Sequence, residues 1–280
     1  RNIPTYSVSS IFREDQVFFK WYGRSYAGVL KCFTRFFVQN EESKRLLEGI
    51  GITAVDVVGD TRFDRVLQIK EAAKQLPICE AFRTGVASSQ SADVPHHDFK
   101  VFVAGSSWPP DENIFIPFFN EHKDWRLLIA PHVIAEEHLK LILSLIKGKK
   151  VVRYTQTTPE EAAEADVLII DCFGLLSSMY NYGDVAYIGG GFGVGIHNTL
   201  EAAVWNMPVI FGPNNKKFQE AQGLLKSDGG FEINTYEDFS GLMSSLMNDE
   251  TFLKQAGDKA GAFVAHLAGA TDKVLASVKL

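Results

Sequence analysis

Short, continuous apolar runs recur along this chain, and between them lie longer stretches whose apolar positions fall three and four residues apart. The clearest runs are Ile3–Val8, Phe36–Gln39, Ala54–Gly59, Lys100–Gly105 and Arg126–Ala130, followed by Val151–Tyr154, Ala165–Ile170, Val185–Gly189 and Pro208–Gly212. Runs so short and rich in β-branched residues suit strands buried on both faces of a parallel sheet. The intervening segments Asn113–Lys123, Ala135–Ile146 and Thr199–Asn206 carry helical periodicity. Alternation of the two predicts an α/β fold of Rossmann-like parallel sheets.

One stretch, Thr84–Asp98, is small, polar and without period, and it reads as an interdomain linker. The expected organisation is therefore a partial N-terminal domain over 1–84, a linker over 85–98, a complete domain over 99–262 and a C-terminal helix over 263–280. Charge narrows the function. The net charge of −6 argues against nucleic-acid binding driven by bulk charge. Three cysteines, Cys32, Cys79 and Cys172, with no C-x-x-C pair, argue for a reducing compartment and against a structural zinc site. No apolar run is long enough to span a bilayer. The chain starts at Arg1 and enters an apolar run almost at once, which is the pattern expected of a fragment.

In open parallel sheets ligands sit beyond the carboxyl ends of the strands. Four predicted strand ends carry small or polar residues there: Gly105–Trp108, Pro131-His132, Asp171–Gly174 and Gly189–Gly195. The last is the strongest signal. Gly189, Gly190, Gly191, Gly193 and Gly195 let backbone approach a ligand closely. A helix is expected to start near Asn198, where a helix N-terminus favours an anion such as a nucleotide phosphate. Asn198 with Glu201 is also the pattern of a capping box that needs no ligand, and Ser107 reads equally as the N-cap of the next helix.

Residues 189–213 resemble the donor-sugar signature of GT-B glycosyltransferases, and most closely that of the Kdo (3-deoxy-manno-octulosonic acid) transferases. Gly189-Gly190, His197-Asn198-Thr199-Leu200-Glu201 and Pro208–Pro213 carry the likeness, with Ile196 where the family has a second glycine. Further segments follow in family order. Gln39–Glu42 is similar to Gln-Ser-Glu-Glu, and Gly59–Asp64 to Gly-Asn-x-Lys-Phe-Asp. Ala104–Glu112 is similar to Ala-x-Ser-Thr-His-x-Gly-Glu-Glu. Asp171–Leu176 with Tyr180 matches Asp-Thr-x-Gly-Glu-Leu-x-x-x-Tyr, with Leu175 in place of the Glu. Where the family has Ala-Pro-Arg-His, this chain has Ala130-Pro131-His132-Val133, so a histidine stands at the usual arginine.

The resemblance implies a two-domain enzyme that moves Kdo from CMP-Kdo to a lipid A precursor in lipopolysaccharide assembly, without a metal or other cofactor. It implies donor binding by Ser106, Ser107, His132, Gly174, Gly190, Gly191, His197, Asn198 and Glu201. Arg13 and Arg62 stand as candidates for phosphate or acceptor-side contacts. The family's catalytic Glu lies in an earlier N-terminal segment with no counterpart here, so no catalytic residue is assigned and the chain by itself is expected to be inactive. The stretch Gln16–Asn40 carries Lys20, Arg24, Lys31 and Arg35, no acid, and eight aromatic residues. It suits either the anionic cytoplasmic face of the inner membrane, with the protein bound peripherally, or a helix packed on the sheet with its basic side chains reaching solvent. Two other readings stay open: another enzyme of the same architecture, such as a UDP-N-acetylhexosamine transferase or epimerase, and a non-catalytic nucleotide- or lipid-binding module.

Overall fold

The structure, a computed structural model, describes residues 3–86 and 98–278, with the side chain of Arg24 also outside the described set. The chain forms two compact units: residues 1–68 with 265–280, and residues 69–264. Most of the expected linker, 87–97, lies outside the described residues.

The first unit contains β1 (Tyr6–Ser10), β2 (Arg35–Val38) and β3 (Val55–Val57), paired in parallel in the order β1-β2-β3. Phe36, Phe37 and Val38 are fully buried, and they divide between the two faces as alternation along a strand requires. Phe36 and Val38 pack with Phe12, Leu30 and Leu47, whereas Phe37 meets Val58 and Val274. Val274 belongs to the helix Ala270–Ser277, so the end of the chain closes the second face of this sheet. The expected helix over 263–280 is in fact the end of Glu250–Leu267 and this separate helix, divided at Gly269 with φ +101°.

The second unit is a seven-stranded, wholly parallel sheet. Its strands are β4 (Lys100–Ser107), β5 (Trp125–Pro131), β6 (Val151–Arg153), β7 (Val167–Ile169), β8 (Val185–Ile188), β9 (Val209–Phe211) and β10 (Gly230–Glu232). They lie in the order β10-β9-β8-β4-β5-β7-β6. The interior residues of β4, Val101 to Ala104, are fully buried, which is why the run shows no alternation. Phe102 sits amid Phe115, Phe119, Tyr187 and Phe239, with ring centroids 4.8–6.3 Å away. Burial of one such ring contributes roughly 1.5–3 kcal/mol.

The boundary between units differs from the expected one at residue 84. The helix Pro77–Thr84 belongs to the second unit because its backbone is tied there. Arg126 of β5, buried, donates to the carbonyls of Phe82 and Ala163, and its guanidinium lies 3.7 Å from the centroid of Phe99. Burial lowers its pKa to about 10, still charged at neutral pH. Leu76 N–H donates to Tyr182 Oη at 2.9 Å, fixing the entry to that helix.

Candidate functional site

From β4 the chain runs outward to β5 and on to the edge strand β6, comes back to fill β7 between them, and then lays β8 against the other side of β4. The crevice between the carboxyl ends of β4 and β8 is therefore the topological switch point, where α/β sheets bind ligands. The two strand ends approach so closely there that a Cβ on Gly189 would lie 2.1 Å from the carbonyl oxygen of Ser106. Only glycine permits that contact. Ser106 itself adopts φ +53° at an irregularity in the β4–β5 register.

Asp111, in the first turn of the helix Pro109–Glu121, organises this crevice. Its Oδ2 accepts from the N–H groups of Trp108 and Gly190, each at 2.9 Å, and its Oδ1 accepts from Tyr187 Oη at 2.8 Å. Burial raises its pKa, and the hydrogen bonds from Gly190, Tyr187 and Trp108 oppose that rise. One turn of polar chemistry lies beneath. Ser107 Oγ donates to Glu112 Oε1 at 2.8 Å, Glu112 Oε2 meets His138 Nε2 at 2.9 Å, and His138 Nδ1 lies 2.8 Å from the carbonyl of Val133. Burial likewise raises the pKa of Glu112, with His138 and Ser107 pulling the other way. Ser107 is fully buried and holds Glu112. The N-cap position belongs to Trp108, and the capping carboxylate is Asp111.

Three aromatic rings stand at the mouth of the crevice. Trp108 stacks on His132 with centroids 4.6 Å apart, and His132 stacks on His197 at 4.4 Å. Trp108 Nε1 also donates to His197 Nε2 at 3.2 Å. That bond takes the Nε2 lone pair, so the proton of neutral His197 sits on Nδ1. Burial lowers the pKa of His197, the neighbouring His132 lowers it further, and Asp111 acts in the opposite sense.

Two clefts open beside the stack. One, of ≈ 200 Å³, is lined in part by Ser106, Pro131, His132, Cys172, Phe173 and Gly174. The other, of ≈ 140 Å³, lies among Trp108, Pro110, Asp111, Gly190, Phe192, Gly193 and Val194. The structure thus joins Ser106, His132 and Gly174 in one cleft and places Gly190 in the next, with His197 bound to both by the stack. Gly191 is buried where its backbone meets Gly212 and lines neither cleft.

Asn198 and Glu201 do not form the reciprocal cap. Asn198 Nδ2 donates to Glu201 Oε1 at 3.0 Å, and Asn198 Oδ1 accepts from Leu200 N–H at 3.1 Å. The helix is only Leu200–Ala203, so it supplies no extended N-terminal dipole for an anion. Burial raises the pKa of Glu201, and the Asn198 bond opposes it. Trp108 and Asp111 were not among the site residues expected from sequence. The available signal was their place in the segment after β4, where the resembling family carries His and Glu.

The remaining candidates belong to the first unit. Arg62 contacts Asp60 through Nε at 2.8 Å and Nη2 at 2.7 Å. Arg13 is exposed, and its backbone forms a turn with Gln16. Gln16–Asn40 is not one amphipathic helix. It divides into 3-10 turns at Val17–Phe19 and Trp21–Gly23, the helix Arg24–Leu30, and β2. Arg35 pairs with Asp56 at 2.8 Å, so its charge is compensated within the sheet. Lys20 and Lys31 line a ≈ 570 Å³ groove with Phe18, Phe19 and Trp21, beside exposed Tyr22 and Tyr26. The side chain of Arg24 lies outside the described residues. No described helix is long and apolar enough to cross a membrane.

No protein-family model matches the chain. Among curated proteins it is 27% identical over 263 residues to the 3-deoxy-D-manno-octulosonic acid transferase of Rickettsia typhi, covering 90% of this chain and 53% of that protein. It is 31% identical over 159 residues to the Aquifex aeolicus enzyme of the same name, covering 54% and 43%. The chain spans about half the length of the curated relatives it matches. Among solved structures, the C-terminal CMP-Kdo binding domain of WaaA from Acinetobacter baumannii aligns with TM-score 0.51 at 16% identity, over 72% of this chain and 97% of that domain. A putative UDP-N-acetylglucosamine 2-epimerase from Listeria monocytogenes aligns with TM-score 0.61 at 11% identity, over 99% and 69%. The chain is a relative of the 3-deoxy-D-manno-octulosonic acid transferases, built on the GT-B type of parallel α/β fold.

Proposed function

We propose that this chain is the donor-binding part, with a portion of the acceptor-side domain, of a transferase that moves Kdo from CMP-Kdo to a lipid A precursor. One observation carries the reading. Four sequence segments that resemble the Kdo-transferase pattern, far apart in the chain, converge at one switch-point crevice between β4 and β8. In this reading Ser106 and His132 face the donor phosphate, and Glu201 accepts hydrogen bonds from the ribose hydroxyls. Ser107, Gly191 and Asn198 act indirectly, through Glu112, Gly212 and Glu201. The acceptor side would meet an anionic membrane face peripherally through Trp21, Tyr26, Lys20 and Lys31, where aromatic and basic groups suit a headgroup region.

Calorimetric titration with CMP, against UMP as control, tests the donor assignment. CMP binding that is lost in Glu201→Ala, with circular dichroism unchanged, is the expected result. Preference for UMP would instead make the donor a UDP-sugar. Absence of binding by either nucleotide to the folded chain would remove the donor reading for this chain.

A further inference from the structure

The ≈ 200 Å³ cleft has an unusual charge composition. Among its lining residues none is a carboxylate, and His132 is the one side chain able to carry positive charge. Cys172, the other titratable group on the lining, has its thiol pushed up by burial and by Asp171, so it stays neutral. Asp171 itself is held by Arg153 at 2.9 Å and by Thr155 at 2.6 Å and 2.8 Å. On the adjoining helices the acidic groups are engaged as well: Glu112 with Ser107 and His138, Asp111 with Trp108, Tyr187 and Gly190. The net charge of the cleft is therefore set by one imidazole.

Which ring of the stack takes a proton follows from geometry. His197 already accepts the Trp108 Nε1–H on Nε2, so protonating it breaks that bond. His132 is exposed, and it lies against the Trp108 face, where an imidazolium gains cation–π attraction. Two imidazolium rings stacked at 4.4 Å would repel, so the pair carries no more than one positive charge. We infer that His132 is the oxyanion-recognition residue of this cleft and that a phosphodiester-class anion enters together with a proton, held by His132 while His197 stays neutral. The inference rests on the donor-site reading only for the identity of the anion. It makes ligand affinity depend on pH in a way that a guanidinium at the same place would not.

The test uses the whole chain and two anions that do not titrate between pH 6 and pH 8: the methyl ester of cytidine 5′-phosphate, and sulfate. Binding is followed by calorimetry in buffers of different protonation enthalpy, and the histidine rings by nitrogen-15 NMR. Because the anion enters with one proton, affinity is expected to fall from pH 6 to pH 8, by up to about tenfold per pH unit, with proton uptake on binding. His132→Arg should bind equally at both pH values, and His132→Gln should bind weakly without a pH slope. The His132 ring should take up the proton before His197. If sulfate follows this profile and the nucleotide ester does not bind, oxyanion recognition by protonated His132 stands, and both the phosphodiester assignment and the nucleotide reading fall. Affinity that is flat with pH in the unsubstituted chain, a full slope retained in His132→Gln, His197 titrating first, or no binding of either anion at pH 6 would each overturn it.

Discussion

The carboxylate of Asp111 holds the backbone N–H of Gly190 at 2.9 Å across 79 residues of sequence, pinning the glycine-rich turn after β8 to the helix after β4. The same Oδ2 atom accepts from Trp108 N–H, and Oδ1 accepts from Tyr187. In Asp111→Ala the side chain can no longer accept from the N–H groups of Trp108 and Gly190 or from the Tyr187 hydroxyl. Those donors then lose their acceptor, at a cost of about 2–4 kcal/mol. Urea unfolding should show that loss, and faster hydrogen exchange at Gly190 should accompany it. An unchanged midpoint would mean that the carboxylate is not the anchor.

The approach of the two strand ends predicts a sharp contrast between neighbouring glycines. A Cβ at Gly189 meets backbone atoms of Ser106 and Ser107 at 2.1–2.7 Å, whereas at Gly193 the nearest atom is 3.7 Å away. Gly189→Ala should therefore cost about 3 kcal/mol or more, because neither backbone can yield without parting the strands. Gly193→Ala should stay within about 0.5 kcal/mol of the parent. Thermal midpoints of the two variants, measured side by side, decide this.

Thr199 carries a hydroxyl that is buried and has no hydrogen-bond partner. Thr199→Val keeps the shape and removes the unpaired group, so a gain of about 1 kcal/mol is expected. A loss on denaturant unfolding would show that the hydroxyl is satisfied in solution.

In the first unit, Asp64 accepts from the N–H groups of Gly269 and Thr271 and from the Thr271 hydroxyl at 2.9 Å, capping the helix Ala270–Ser277. Burial alone would raise its pKa, but these hydrogen bonds together hold it below the ordinary value. A carboxyl whose pKa is lower in the folded state stabilises fully above the unfolded value, near 3.9, and loses that contribution as pH falls through the folded value. Asp64→Asn should therefore weaken the unit at neutral pH and flatten its acid unfolding below about pH 4. Chemical shifts of Val274 and Phe37 followed from pH 6 to pH 2 provide the readout.

The strand-and-helix alternation was legible because strands buried on both faces must be apolar throughout, and nine of the ten strands among the described residues coincide with such runs. β10 escaped because Gly230-Phe231-Glu232 is a short edge strand with a charged end, which carries almost no pattern. The compact units divide at Gln68 and Ile69 rather than at the expected linker for a different reason. Pro77–Thr84 reads as any short helix, and only the burial of Arg126 against its carbonyls assigns it to the second unit.

The candidate site divides the same way. Glycines, the His197–Glu201 turn and the strand-end positions are local features, written in order along the chain. Which side chains meet is not local: Trp108, His132 and His197 come from three strand ends that adjoin only because β8 returns to the flank of β4. Ser107 looked as available as Ser106, yet their backbones place one beneath the crevice on Glu112 and the other on the cleft. The sequence by itself determined the parallel α/β class and the rim on which chemistry collects, because burial and backbone sterics act through neighbours in the chain. The tertiary structure alone decided which groups share a proton, an acceptor or a cleft, because those depend on distances that the order of residues does not contain.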